Sequence, residues 1–327
     1  MPLSDVAQAL NTHQRFLVTT HQNPDGDAVG SLLAMAHLLR ADLEKYVVAV
    51  LPDPLTKRYQ FLPGLDTLVT PAEAAEMGPY DAIITVDVST PTRIGKVYEL
   101  ITDSMTRINI DHHVTNPRTD DFVWVEPEAS ATCEMMVDLY EELDVTPTRD
   151  AATAMYTGII TDTGQFAFKG TTAKAICAAS KLVEWGAEFE RVAYEVYHKT
   201  DAAMVRTLGN VLNRMELHDE DRIAITWMER EELPVDHEGF VNHLLDIETV
   251  EVAALLRPLD TGQWKVSLRS AGLVDVTFIA KQIDGGGHSM AAGGTLPATD
   301  AGPAKQRVTE LCLAALQNAR EAGAARA

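Results

Sequence analysis

The chain contains little cysteine and few basic residues. Its 327 residues include three cysteines, Cys133, Cys177 and Cys312, which lie far apart and form no Cys-x-x-Cys pair. This spacing predicts neither a disulfide framework nor a zinc-thiolate site. Lys and Arg number 27 against 48 Asp and Glu, which gives a net charge of -21. Because long nucleic acids are held largely through clustered Lys and Arg, the charge argues against a long nucleic acid as the preferred ligand.

Long hydrophobic segments are also missing. The longest apolar run, "VGSLLAMAHLLR", is shorter than the roughly 20 residues that cross a bilayer as a helix. The N-terminus, "MPLSDVAQAL", lacks the basic region and apolar stretch of a signal peptide, and no membrane or sensor region is expected before it. We therefore expect a cytoplasmic protein with reduced thiols and no membrane attachment. A homodimer is left open.

Short apolar runs alternate with helical patterns in the first part of the chain. The predicted strands are 15–21, 46–51, 81–87 and 106–111. The predicted helices are 27–40, 92–101, 130–143, 150–161 and 171–186. This alternation predicts the α/β class, with a parallel sheet that has helices on both faces. Ser130 is predicted to cap the helix that begins beside it.

The length and the pattern together predict two domains. We place a catalytic domain at 1–187, a helical linker at 188–216 and a second domain at 217–327. The second domain is predicted to be a smaller α/β domain, with strands at 222–228, 250–259 and 264–270 and helices at 275–283 and near the C-terminus.

Acidic residues and histidines follow several predicted strands. They are His21, Asp25 and Asp27 after the first strand, Asp87 at the end of "AIITVD", and Asp111, His112 and His113 after "INI". A fourth segment adds Asp162, which follows the apolar "GII". In open parallel sheets, ligands bind outside the carboxyl ends of the strands. A single Asp at such a place is most often a helix cap or a turn residue. Four segments that bring these residues to one edge favour a metal site instead.

Several carboxylates can share a small space only if positive charge lies among them. Asp25 and Asp27 are two residues apart and could serve two divalent cations about 3.5–4 Å apart. Gly26 is expected to let the backbone turn between them, and Gly30 to permit close packing of the helix that follows. Mixed Asp and His ligands suit Mn²⁺, with Mg²⁺ as an alternative, and zinc has no thiolate to favour it.

The motifs resemble the DHH phosphoesterase superfamily, named for the "DHH" at 111–113. "HQNPDGDAVGS", "VDVS", "DHH" and "GIITDTGQF" follow one another in the family's order, and "LRS" and "GGGHSMAAGG" resemble its C-terminal DHHA1 domain. The resemblance covers nearly the whole chain. It implies one metal on His21, Asp25 and Asp87 and a second on Asp27, Asp87, His112 and Asp162. Asp87 would bridge the metals, and His113 would act at the substrate phosphate.

The same resemblance implies substrate contacts in the second domain. Arg269, Ser270 and His288 match positions that bind the phosphate or base of the nucleotide, and the amides of Gly286 and Gly287 can approach phosphate. The sequence departs from the family at Asp284, where a glycine is common. For the glycine run, a flexible turn before a helix is the structural alternative.

Size and layout look like the oligoribonuclease (nanoRNase) type, often bifunctional with 3'-phosphoadenosine 5'-phosphate (pAp) phosphatase activity. We therefore expect a two-metal phosphoesterase that hydrolyses short oligoribonucleotides and linear dinucleotides to 5'-mononucleotides, and pAp to AMP, in a cleft between the domains. The alternatives are a cyclic di-AMP phosphodiesterase of the same superfamily and a non-catalytic nucleotide sensor.

Overall fold

The structure, a computed structural model, describes residues 3–237 and 239–324. The chain divides into two compact units, with the boundary between Lys199 and Thr200. This boundary falls inside the segment 188–216, which is helical on both sides of it.

The first unit is built on a six-stranded sheet in the order β3-β2-β1-β4-β5-β6, in which every pairing is parallel. Its strands are β1 (Arg15–Thr19), β2 (Tyr46–Val50), β3 (Leu68–Val69), β4 (Ala82–Val86), β5 (Thr106–Asp111) and β6 (Phe122–Val125). Its helices are α1 (Leu3–Thr12), α2 (Gly26–His37), α3 (Pro71–Met77), α4 (Thr132–Glu142), α5 (Arg149–Asp162), α6 (Ala173–Glu184) and α7 (Phe189–Ala193).

The sheet of the first unit is covered on both faces. Its larger core packs β1, β4 and β5 against α1, α2, α4, α5 and α6. A smaller core on the other face includes Leu17, Ile83 and Val97. Burial on both faces explains why the central strands are apolar at nearly every position. The predicted parallel sheet with helices on both faces is confirmed.

Three local predictions for this unit need correction. The segment Pro91–Leu100 is 3₁₀ helix rather than α-helix and is broken at Gly95, where φ is 57°. Ser130 does not cap α4: the capping position is Ala131, and the Ser130 hydroxyl donates to the carbonyl of Gly170. Gly26 does not provide a turn, since it begins α2. A side chain there would overlap Thr161 of α5.

The second unit carries a mixed sheet in the order β11-β12-β10-β9-β8-β7, in which only β8 and β9 pair in parallel. Its strands are β7 (Glu216–His218), β8 (Ile223–Trp227), β9 (Val252–Pro258), β10 (Gln263–Ser270), β11 (Gly286–Gly287) and β12 (Ala291–Pro297). Its helices are α8 (Ala202–Asn213), α9 (Thr277–Ala280) and α10 (Ala301–Ala324). Alternate residues of β10 are buried under α9 and α10, as expected for a sheet with one face on that core. The glycine run is therefore part of a sheet and not a flexible turn before a helix.

Candidate metal centre

The carboxyl ends of β1, β4 and β5 lie side by side, and the residues that follow them meet there. The strand order runs from β1 to β2 in one direction and to β4 in the other, so this edge is a topological switch point. We call the six predicted ligands the acidic cluster: His21, Asp25, Asp27, Asp87, His112 and Asp162. The structure brings all six together.

Asp87 lies at the centre of the acidic cluster. Its side chain is buried, and its two oxygens face different histidines. Oδ2 lies 3.4 Å from Nε2 of His21, and Oδ1 lies 3.6 Å from Nε2 of His112. The backbone of Asp87 is left-handed, with φ 57°, a conformation that Asp tolerates better than most residues. Directly after β4, this turn aims the carboxylate across the strand ends.

The two histidines are oriented by the backbone. Nδ1 of His21 donates to the carbonyl of Gln22 at 2.8 Å, and Nδ1 of His112 donates to the carbonyl of Ala129 at 3.1 Å. A carbonyl only accepts, so Nδ1 carries the hydrogen in both rings. Nε2 is then the atom that each ring presents to the carboxylates. This is the usual arrangement of a histidine ligand, whose other nitrogen is held by an outer partner.

Burial by itself would lower the pKa of His21, but its hydrogen bond to Asp87, in which the carboxylate accepts, and the charges of Asp25 and Asp87 outweigh burial and raise the pKa to about 9. His112 behaves similarly: burial acts against its charge, and Asp162, Asp87 and Asp27 raise its pKa well above the usual value. Burial also opposes the charge of Asp87, yet the three surrounding histidines hold its pKa below the usual range. The buried carboxylates of the acidic cluster thus require positive charge beside them, from a protonated histidine or from a cation.

Asp27 is fully buried and is held by the start of α4. Its Oδ2 accepts from the amide of Thr132 at 2.6 Å, and its Oδ1 accepts from the amide of Cys133 at 2.8 Å. The N-terminus of a helix stabilises negative charge. Asp27 therefore caps the helix that Ser130 was expected to cap. Burial, and then the charges of Asp87 and Asp162, raise the pKa of Asp27.

Two partly exposed carboxylates complete the acidic cluster. Asp25 precedes α2 and accepts from the amide of Ala28 at 3.1 Å, and its Oδ1 is 3.8 Å from Nε2 of His21. Asp162 is the last residue of α5, and its Oδ2 is 3.2 Å from Nε2 of His112. Burial raises the pKa of Asp162 even though His112 opposes the shift.

Two overlapping sets within the acidic cluster could each hold a cation. Ligand atoms of His21, Asp25 and Asp87 all lie within 4.8 Å of one another, as do those of Asp27, Asp87 and His112. Asp87 belongs to both sets. Imidazole nitrogens and carboxylate oxygens are a donor set that divalent metals accept, so the residues fit a divalent-metal site.

His113 is paired with a residue that we did not predict as functional. Its Nδ1 lies 2.7 Å from Oδ1 of Asp111 and 3.6 Å from Oδ1 of Asp87. Asp111 is fully buried. We expected Asp111 only to share the sheet edge. The sequence did contain a signal for this pair. Asp111 and His113 are two residues apart at the end of a strand, and in extended backbone such side chains point the same way.

The predicted substrate residues of the second unit lie on β10, on β11 and in the turn that follows β11, and β12 runs between the two strands. Arg269 on β10 pairs with Ala291 of β12, and Gly287 of β11 pairs with Ala292. Nε of Arg269 donates to Oδ1 of Asn242 at 2.9 Å. Gly287 has φ 138°, and any side chain there would meet β12. The strand pairing thus brings the Arg269 backbone and the glycine run to the same end of β12.

The remaining substrate residues lie beside them. Ser270 is 2% exposed, and its hydroxyl accepts from the amide of Gly272 at 2.9 Å. Gly286 begins β11, and no atom lies within 4 Å of where its Cβ would be. The amide of His288 donates to the carbonyl of Ala291 at 2.8 Å, which closes the turn between β11 and β12.

Comparison with known proteins identifies both parts of the chain. The profile of the DHH family, N-terminal domain, matches residues 15–159, and that of the DHHA1 domain matches residues 220–318. A bifunctional oligoribonuclease and PAP phosphatase NrnA of Thermus thermophilus is 34% identical, over 90% of this chain and 87% of the relative. The protein of the same name from Bacillus subtilis is 25% identical, over 91% and 94%. A crystal structure of an exopolyphosphatase-related protein from Bacteroides fragilis has a TM-score of 0.85 and 26% identity, covering 97% of this chain and 95% of that one.

Proposed function

Because this chain belongs to the DHH family of phosphoesterases, we propose that it hydrolyses short oligoribonucleotides and linear dinucleotides to 5'-mononucleotides, and pAp to AMP. The observation that carries the proposal is Asp87, whose two oxygens face His21 and His112 in two overlapping ligand sets. The substrate class is supported by the 34% identity to the Thermus thermophilus enzyme, named as an oligoribonuclease and PAP phosphatase.

Two Mn²⁺ ions, with Mg²⁺ as the alternative, are the proposed cofactors. His21, Asp25 and Asp87 would hold one ion, and the other would be held by Asp27, Asp87, His112 and Asp162. When bound, such a pair activates water for attack on phosphorus and neutralises charge on the phosphate.

His113 is proposed to give a proton to the leaving oxygen. Its Nδ1 is committed to Asp111, at 2.7 Å, so Nε2 is the atom assigned to the transfer. Asp111 keeps the ring in one orientation, as a buried carboxylate beside a catalytic imidazole does. Asp111 is therefore a positioning residue in this scheme.

The second unit is proposed to bind the nucleotide through Arg269, Ser270, Gly286, Gly287 and His288. Arginine suits bidentate contact with phosphate, and backbone amides of glycine can approach it closely. Among the described residues, no helix is both long and apolar enough to cross a membrane. We also propose a cytoplasmic location, which the three free cysteines support.

One substrate panel tests the proposal. The purified protein is incubated with RNA of two to about 24 nucleotides, pAp, the linear dinucleotide pApA or cyclic di-AMP, with Mn²⁺ or with EDTA. We expect mononucleotide or phosphate release with Mn²⁺ and none with EDTA. Cyclic di-AMP as the best substrate would move the assignment to the phosphodiesterase alternative. Tight binding without turnover of any member would favour the nucleotide sensor and overturn the proposal.

A further inference from the structure

We propose that Asn116 is a positioning residue that fixes Asp111, and through it the ring of His113, relative to the strand end that carries Asp87. The proposal rests on the role given to His113 above. It adds a residue outside the "DHH" triplet.

The amide of Asn116 has one possible orientation. Its Oδ1 accepts from the backbone amide of Arg118 at 2.8 Å. Its Nδ2 faces acceptors: Oδ2 of Asp111 at 2.6 Å and Oδ1 of Asn109 at 2.8 Å. A flipped amide would set its oxygen against these oxygens and its nitrogen against a donor, so the hydrogen bonds define the assignment.

Asp111 depends on this donor. The carboxylate is fully buried. One oxygen is engaged by His113, at 2.7 Å, and the other by Asn116, at 2.6 Å. A buried carboxylate that loses a donor moves toward another one or draws in water, because an unsatisfied buried charge is costly. Either change would release the ring of His113.

A second asparagine anchors Asn116 to the sheet. Asn109 on β5 is 3% exposed, and its Nδ2 donates to Oγ1 of Thr85 at 2.8 Å and to the carbonyl of Val88 at 3.0 Å. Nδ2 of Asn116 lies 3.3 Å from the same carbonyl. Val88 directly follows Asp87. The hydrogen bonds therefore connect Asp111, which binds the ring of His113, to Val88, the residue next to Asp87.

The test is Asn116→Asp. This substitution keeps the size of the side chain and the acceptor for Arg118, and it replaces only the donor group. Two carboxylates would then face each other across 2.6 Å in the present geometry. We expect kcat to fall by about 10- to 100-fold, as for other outer partners of active-site groups, with KM changed less than about threefold and bound metal retained.

Two comparisons separate positioning from packing. Asn116→Ala removes the donor without adding charge and should lose less kcat than Asn116→Asp. If Asn116 only filled space, the isosteric Asp would be tolerated and Ala would be the worse variant. Asn210→Asp, at an exposed position of α8, makes the same charge change and should match the wild type. If Asn116→Asp does not fold, Asn116→Ala decides. A lower kcat with unchanged KM and metal content in that variant supports the proposal, and an unchanged kcat overturns it.

Crystal structures of the wild type and of Asn116→Ala provide a test that does not depend on activity. We expect the distance between Nδ1 of His113 and Asp111 to stay near 2.7 Å in the wild type and the ring to be displaced in the variant. A wild type that hydrolyses nothing would refute the proposed function, and a displaced ring would still support the positioning role. A wild type that turns over, with a variant of normal kcat and an unmoved ring, would refute the positioning role alone.

Discussion

Asp87 shows how one residue can combine backbone strain and ligand geometry. Its φ of 57° costs about 1 kcal/mol for most L-residues and less for Asp and Asn. Such strain persists at functional sites where the surrounding structure holds it in place. Here the amide of Asp87 donates to the carbonyl of Ile110 on β5, at 2.9 Å. This bond fixes the turn that presents both carboxylate oxygens to the histidines.

Asp87→Asn is therefore the sharpest test of a shared ligand. Asn tolerates the same backbone conformation, so the fold should survive while one negative charge is lost. We expect bound manganese to fall below two ions per chain and turnover to fall by at least about 10²-fold, the upper end of the cost for outer partners of ligands. Elemental analysis and initial rates measure both. Asp66→Asn, at an exposed position, is the control. Full metal content with wild-type rates would remove Asp87 from the site.

His112 and His113 are neighbours in sequence with different predicted roles. His112→Ala should lose metal, because Nε2 of His112 faces Asp87 and Asp162. His113→Ala should keep its metal and lose about 10²–10⁴-fold in kcat, the usual contribution of a general acid. The two variants serve as controls for each other. If His113→Ala lost manganese in proportion to its lost activity, His113 would be a metal ligand.

At the residue level, the sequence predicts the members of the acidic cluster better than their partners. Asp and His after successive strands of a parallel sheet must meet at one edge, so five of the six residues could be grouped without a structure. Asp162 ends the helix α5, and it was grouped with the others because of the apolar "GII" before it and the order of the family motifs. The bond from Asp27 to the start of α4 could not, because it joins positions 105 and 106 residues apart. The pairing of Asp111 with Asn116 depends on the path of the loop after β5, which periodicity does not describe.

Among the elements, α2 and α5 pack closely against each other beside the acidic cluster. Gly30 of α2 faces the backbone of Ala154 in α5, and a Cβ on Gly158 of α5 would overlap Sγ of Cys133 and lie 2.6 Å from Oδ1 of Asp27. The sequence correctly indicated close packing at Gly30. Gly158 was not singled out, because its neighbours come from α2 and α4. The helix contact thus sets the position of a candidate ligand.

Gly158→Ala should damage the protein although alanine is the better helix former. Overpacking of a buried site typically costs about 1–3 kcal/mol, and here it would also displace Asp27. We expect a lower free energy of unfolding in urea and reduced metal content. Gly209→Ala is the matched control, since nothing lies within 4 Å of its Cβ in α8. That change should stabilise the protein by about 0.5–1 kcal/mol. Equal stability of the two variants would contradict the packing argument.

Short elements explain most of what the sequence did not predict about the fold. The edge strand β6 has four residues, and β3 has two. Runs of this length carry too few residues to show a period. Helix α3 has seven residues, of which only Ala74 is buried, so it shows no apolar stripe. In contrast, β1, β4 and β5 were predicted because each is a buried strand of five or six residues.

At the scale of the whole molecule, charge and the second unit bear on substrate length. A net charge of -21 provides little long-range attraction for a polyanion. Binding must then come from local groups, which can contact one terminal nucleotide. A longer RNA adds no further contact to these groups and therefore no affinity. We expect kcat/KM to fall steeply as RNA grows beyond a few nucleotides. Cleavage of a ladder from two to about 24 nucleotides measures this, and equal efficiency at every length would contradict it.

Arg269 is the residue on which that selectivity is proposed to depend. If it contacts the substrate phosphate, Arg269→Ala should raise KM by about 10-fold or more, the loss expected for a charge-assisted hydrogen bond, with metal content unchanged. Arg206→Ala, at an exposed position of α8, removes the same charge and should leave KM as in the wild type. Because Nε of Arg269 also donates to Asn242, the free energy of unfolding must be measured for both variants. A destabilised Arg269→Ala protein with normal KM for every substrate would mean that Arg269 supports the sheet and does not bind the substrate.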